Sequence, residues 1–249
     1  MRNFLSAVVV LAILAGSSEY VRADDSQAKA IVDKAIQAAG GEEVLKKYAA
    51  VTSKMKGTVH AMGMDIEFTA DVAAQGSNQQ KVVLEFTIEG MKFTLTQVLN
   101  KDKGWTKLNE MVTDLDGDKL TEVRRAAHEQ WLGTLLPLKS KDVQLTLIGD
   151  SKVEDKPAIG IKAVSKDRGD VTLYFDKDTH LLVRTEARVK DDMSGQEMNQ
   201  ETTYSGHATK GAKLPTKLAV KRDGKAFLEA EITEIKAEEK LDDSTFEKP

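Results

Sequence analysis

The chain has 249 residues, 41% hydrophobic and 31% charged, with a formal net charge of −4 and no cysteine. The composition is that of a globular protein. It excludes thiolate catalysis and cysteine-based zinc sites, and it offers no basic stripe to nucleic acid.

The chain opens MRNFLSAVVVLAILAGSSEYVRADD. Arg2 is a short positive region, the apolar core runs from Phe4 to Ala15, and Val21-Arg22-Ala23 has small-x-small form. That pattern predicts a secretory signal peptide over residues 1–23. The apolar core is too short for a bilayer, which needs about 20 residues. Cleavage after Ala23 leaves residues 24–249, expected to form a single domain. Without Arg2, Arg22 and Glu19, that part has 34 Lys plus Arg (36 minus 2) against 39 Asp plus Glu (40 minus 1), net −5. With no cysteine to carry a lipid anchor, the mature protein is expected to be a soluble monomer in a periplasm, or secreted. A core rather than disulfides must hold it together.

In chain order, Ser26 to Ala39 carries Ala28, Ile31, Val32, Ala35, Ile36 and Ala39 on one stripe. It predicts a helix capped by Ser26 and stopped by Gly40-Gly41. A short helix over Glu42 to Tyr48 follows. The period then becomes two, the signature of strands with one apolar face. Four such runs lie between residues 51 and 99, separated by turns at Gly63, Gly76-Ser77-Asn78 and Glu89-Gly90, and Trp105 opens a short fifth. A helix interrupts the sheet from Asp118 to about Leu136, ended by Pro137. Its stripe is Leu120, Val123, Ala127, Trp131 and Leu135, with Glu122 on its polar side and His128 off the stripe, at the surface. Seven further strands occupy residues 143–235, and the tail LDDSTFEKP is expected to lie along an edge.

The acidic clusters read as turns. In DVTLYFDKDTHLLVRTEARV, Asp176, Asp178, Thr179 and His180 stand between two alternating runs, and Asp and Thr have turn chemistry there. Asp114, Asp116 and Asp118 resemble the start of a calcium loop, but the sixth and twelfth places hold Lys119 and Arg125 instead of Gly and Glu. No nucleotide-binding glycine loop, nucleophile elbow or zinc-protease motif is present. The chain is read as non-catalytic and needing no metal or cofactor.

The fold class expected from the pattern is mainly β (α+β): a single large, strongly curved antiparallel sheet with helices against its concave face. AIVDKAIQAAGGEEVLKK, LYFDKDTHLLVRTEARV and GAKLPTKLAV, in that order and spacing, resemble the LolA/LolB-like superfamily of exported lipoprotein-sorting proteins. The resemblance implies a half-barrel of about eleven strands, a helical lid and a hydrophobic cavity that holds acyl chains. The residues of the apolar parity that would line it are Met55, Val59, Ile66, Phe68, Val82, Leu84, Phe86, Phe93, Leu95, Leu173 and Phe175, with Val123, Trp131 and Leu135 from the lid. The function expected is a carrier of lipid or lipoprotein acyl chains, served by a donor or acceptor protein in the inner or outer membrane. The alternative is an envelope protein-interaction or stress module with a filled core, and a hydrolytic enzyme is a distant third.

Overall fold

The computed structural model describes residues 17–61, 63–191, 195–208 and 211–249. Helix α1 (Ser17–Ala38) and the short α2 (Glu42–Lys46) lead into β1 (Ala50–Ala61), β2 (Met64–Gln75), β3 (Gln79–Ile88), β4 (Met91–Asn100), β5 (Lys103–Leu108) and β6 (Met111–Leu115). Helix α3 (Gly117–Gly133) and a 3-10 turn (Leu136–Lys139) connect to β7 (Val143–Val153), β8 (Lys156–Ser165) and β9 (Gly169–Asp176). The chain continues through β10 (Leu182–Lys190), β11 (Glu197–Ser205), β12 (Lys217–Arg222) and β13 (Lys225–Glu238), and a second 3-10 turn (Asp243–Phe246) follows.

All thirteen strands form one sheet in the order β6-β5-β4-β3-β2-β1-β13-β12-β11-β10-β9-β8-β7. Every pairing is antiparallel. The sheet is an open half-barrel, mainly β with few helices. Two meanders, β1–β6 and β7–β13, meet at a central seam where the first strand pairs with the last, Ala50 opposite Glu238. Gly57 is required at that seam. A Cβ there would stand 2.1 Å from the Glu229 carbonyl oxygen and 2.9 Å from the Phe68 ring. The outer strands β6 and β7 are the two edges, and α3 runs between them in the chain.

Alternation dictates the two faces. On the helix-bearing face, Ala28, Val32, Ala35 and Ile36 of α1 pack with Leu132, Leu138, Leu145, Ile161, Leu173 and Phe175, all at most 4% exposed. This core sits over β7–β9.

Three details differ from the sequence expectations. Helix α1 begins at Ser17, so Ser26 lies inside it and does not cap it. Of the expected signal peptide, residues 1–16 lie outside the described residues. Strand β6 was hidden by its length of five residues, and it brings the dozen or so strands read from periodicity to thirteen, against the roughly eleven that the resemblance implies. The tail does not follow an edge. Leu241 and Phe246 are 9% and 0% exposed, packed with Ala50, Val98, Ala73 and Trp105 on the face opposite the helices. Two apolar side chains in a polar string suffice to dock it, because each removes apolar area from water.

Candidate functional site

Helix α3 is held from both halves of the half-barrel. On one side Leu120 closes on Gly104 of β5, leaving 3.0 Å for a Cβ, and Gln80 of β3 donates from Nε2 to Gln130 Oε1. On the other, the Lys190 backbone N–H donates to Glu122 Oε2 at 3.0 Å, and Thr185 Oγ1 of β10 donates to Glu129 Oε1 at 2.7 Å. Glu129 is 7% exposed, and burial raises its carboxyl pKa against the lowering effect of the Thr185 hydrogen bond. The Tyr204 hydroxyl lies 3.2 Å from Thr185 Oγ1, and burial pushes its pKa up as well. A helix end tied this way by buried polar groups is rigidly registered, since each group would be costly unpartnered.

A second apolar region occupies the same face over β1–β3, β12 and β13. Phe68, Ala70 and Ala230 are buried at its centre, with Met55, Val59, Leu84, Phe86, Leu218 and Leu228 half-buried around them. Phe86 stacks on Phe93 with ring centroids 5.5 Å apart. The helices pack on β5, β7, β9 and β10, away from the centre of this patch. At its rim, the β1–β2, β3–β4 and β5–β6 turns share one end of the meander and expose Met64, Met91, Leu108 and Met111.

The sheet topology and the pairing of its helices on one face have counterparts among solved structures. A LolA superfamily protein from Nitrosomonas europaea matches with a TM-score of 0.58 at 14% identity, covering 89% of this chain and 97% of that one. A DUF1329 family protein from Desulfovibrio piger matches at TM-score 0.53 and 15% identity over 88% of this chain and 97% of that one. A domain assigned to outer membrane lipoprotein sorting in Vibrio parahaemolyticus matches at TM-score 0.52 and 12% identity over 86% and 97%.

The chain has the LolA-like fold.

No family model matches the sequence, and no curated protein matches it. At these identities the likeness is one of architecture, so residues of the LolA-like half-barrel have to be assigned from this chain alone.

The fourteen expected lining residues divide into three groups. Leu173, Phe175 and Leu135 are 0%, 1% and 5% exposed in the helix-covered core, with Trp131 packed half-buried against them. Met55, Val59, Phe68, Leu84 and Phe86 form the second region, and Ile66, Val82, Phe93 and Leu95 are half-buried on the same face by register. Val123 is half-buried on α3. Leu135 stands after the helix rather than in it, with a positive φ of 74°.

An open groove of about 1440 Å3 lies across β4 to β1 and β13 to β11. Its lining is dominated by the other parity, including Lys56, Thr58, Glu67, Thr69, Glu85, Lys217, Glu229 and Glu231. Among the expected residues only Phe68, Phe86 and Phe93 reach it. The groove is therefore a charged channel on the polar side. Alternation places the apolar patch on the opposite side of the same strands, and that patch has the chemistry for an aliphatic ligand.

Sequence reasoning misplaced two α3 residues. His128 is 4% exposed rather than at the surface, because α3 is wedged between the two halves and buries more than one stripe. Glu122 is not a free polar-side residue. It pairs with Arg125 at 2.7 Å and accepts from the β10 backbone. The acidic turns are structural. Asp176 Oδ1 accepts from the Asp178 and Thr179 backbones and from Thr179 Oγ1 at 3.1, 2.7 and 2.8 Å, closing the β9–β10 turn. Burial pushes the Asp176 pKa up, but these bonds outweigh it and hold the carboxyl below its usual range. Asp114 and Asp118 pair with Lys248 and Lys190 at 2.8 and 2.5 Å.

Proposed function

We propose that the protein is an exported, non-catalytic carrier that binds the acyl chain of a lipid or lipoprotein on the apolar face of its half-barrel. The observation that carries this reading is the half-buried patch around Phe68, Leu84 and Phe86, which the helices leave aside while packing on β5, β7, β9 and β10. Each acyl methylene removed from water contributes about 0.8 kcal/mol, so a chain of a dozen or so carbons offsets the cost of association. The exposed Met64, Met91, Leu108 and Met111 at the patch's rim suit a mouth that meets a membrane or a donor or acceptor protein, since methionine adapts to varied apolar partners. The LolA-like fold, which a lipoprotein-sorting domain also has, supports the same reading. On this reading the protein works in the periplasm, delivered by cleavage of residues 1–23, with residues 24–249 as a single functional domain.

The test is calorimetric titration with dodecyl maltoside below its micelle concentration. Saturable binding is expected, abolished by Leu84→Asp in a protein whose circular dichroism is unchanged. No saturable binding, together with organic extracts of the native protein that contain no lipid, would falsify the reading.

A further inference from the structure

One side of α3 faces the β8–β9 turn with a set of donors that have nothing to donate to. Arg124 and His128 stand one helical turn apart, and Trp131 follows three residues later, so the three share a face. The Arg125 Nε lies 3.7 Å from where a Cβ on Gly169 would be, which fixes α3 against the start of β9. Arg168 occupies the turn just before that glycine. Nε of Arg124, Nε of Arg125, Nη1 of Arg168, both ring nitrogens of His128 and Oγ of Ser165 are buried with no hydrogen-bond partner among the described residues.

Charge points the same way. Arg125 spends Nη1 on Glu122, the carboxylate nearest in the helix. Asp118 is taken by Lys190, and Asp170 at the start of β9 by Lys162. Arg124 and Arg168 have no carboxylate partner among the described residues. They also repel each other: burial first, and then Arg124, lowers the Arg168 pKa. Burial, and then Arg168, lowers the His128 pKa from 6.5 to about 4, so its imidazole is neutral at pH 7 with one N–H to donate. Buried polar atoms are almost always satisfied, and a half-buried like-charge pair with spare, shielded donors is what a bound anion would resolve. Two uncompensated positive charges match the −1 to −2 of a phosphate better than the single charge of a carboxylate.

The place matters too. In an antiparallel meander alternate turns share an end, so the β8–β9 and β10–β11 turns lie at the same end of the sheet as β1–β2 and β3–β4. Trp131, whose ring is 5.5 Å from that of His128, links this cluster to the apolar core.

We propose that Arg124, Arg168 and His128 seat the phosphate of an anionic amphiphile whose chain lies on the apolar face. The inference rests on the carrier reading above and adds a class to its ligand: a phosphate-bearing lipid in preference to a neutral one. A free phosphate ion shares the headgroup chemistry, so the test separates the two sources.

The experiment compares dodecyl phosphate, dodecyl maltoside and inorganic phosphate by calorimetric titration of the full mature chain at pH 7.5 in 0.15 M salt. Dodecyl phosphate is expected to bind at least ten-fold more tightly than dodecyl maltoside. Arg168→Gln and Arg124→Gln should each erase most of that preference while leaving dodecyl maltoside binding unchanged. Arg188→Gln, on an exposed β10 side chain paired with Glu197, should preserve it. Because each cluster substitution removes a repelling charge, the unliganded variants should melt no lower than the wild type, so lost binding will not reflect unfolding. Equal affinity for the two amphiphiles overturns the headgroup seat and leaves the carrier reading standing. Inorganic phosphate binding as tightly as dodecyl phosphate overturns the amphiphile assignment and makes the cluster a free-phosphate site. Binding of dodecyl maltoside that vanishes in Arg168→Gln overturns the proposal as well, since a headgroup seat has no hold on a neutral ligand.

Discussion

Ile161, Leu173 and Phe175 on one end of the apolar face, and Val59, Leu84 and Phe86 on the other, come from the same sequence pattern. Each is an apolar residue alternating with a polar one in a strand. The first three are 0–1% exposed beneath α1 and the segment after α3, whereas the second three stay half-buried. Strand periodicity selects a face; what sits on that face decides whether it becomes core or a binding surface. Helices cover the strands nearest the β7 edge and leave aside those around the seam, so stability and ligand affinity are assigned to different residues of one continuous sheet.

The comparison breaks most visibly at Phe175. Phe175→Ala should cost about 3–5 kcal/mol of unfolding free energy in urea, the range for a fully buried aromatic, with no change of ligand preference in whatever folded fraction survives. Phe246→Ala should follow at about 3 kcal/mol, because the tail covers the polar face with a side chain as buried as any in the main core. A loss below about 1 kcal/mol there would mean the tail is only laid on the sheet.

Titration sharpens the contrast next. Burial raises the Glu129 pKa above 4.5, so the folded state favours its proton, and wild-type stability falls as pH rises through the raised value. Glu129→Gln keeps an oxygen to accept from Thr185 and removes that penalty. It should raise the Tm at pH 8 by roughly 3 °C, with the difference closing below pH 4.5. His128 acts in the opposite sense. Its pKa is lowered from 6.5 to about 4, so its contribution is complete above 6.5 and is lost as pH falls towards 4. In the Glu129→Gln background, Tm measured from pH 8 to pH 4 should therefore decline on the acid side, and His128→Phe should flatten that decline. A flat profile in both proteins would show that α3 is wetter than its packing indicates.

The smallest effect on stability is expected at the open end. Phe86→Ala should cost only about 1 kcal/mol, since the side chain is half-exposed already, yet it should weaken dodecyl maltoside binding several-fold. If Phe86→Ala destabilises as much as Phe175→Ala, the two ends are one core and the distinction collapses.

Much of this architecture was legible in the sequence. Period-two runs gave nearly all the strands, and the β9–β10 turn followed from Asp176 and Thr179 bonding their own backbone. The lining candidates of β1–β4 were found on one face because parity is local information. Their division into core and patch was not legible, because it depends on which strands a helix crosses, a long-range fact. His128 was hidden for the same reason: an amphipathic stripe marks one contact, but α3 has two. The signal that was present, Arg124 and His128 at helical spacing beside the stripe residue Trp131, looks in sequence like a polar flank. The tail's docking residues, Leu241 and Phe246, are five positions apart in a charged string, too sparse for any periodicity to register.

The seam between β1 and β13 also bears on how the molecule is made. Each meander consists of neighbours in sequence and can zip from local turns, but the pair that unites them joins Ala50 to Glu238. Closing so long a loop is slow, and no half-barrel exists until the last strand has emerged. Until then β1 presents a free edge, with Met55 and Val59 alongside, and such edges recruit strands from other chains. The apolar patch is centred on that same seam, at Phe68 and Ala230. The surface proposed to carry ligand is thus the last part of the fold to be assembled, and a chaperone that holds the nascent chain would be expected to release it only on completion of β13.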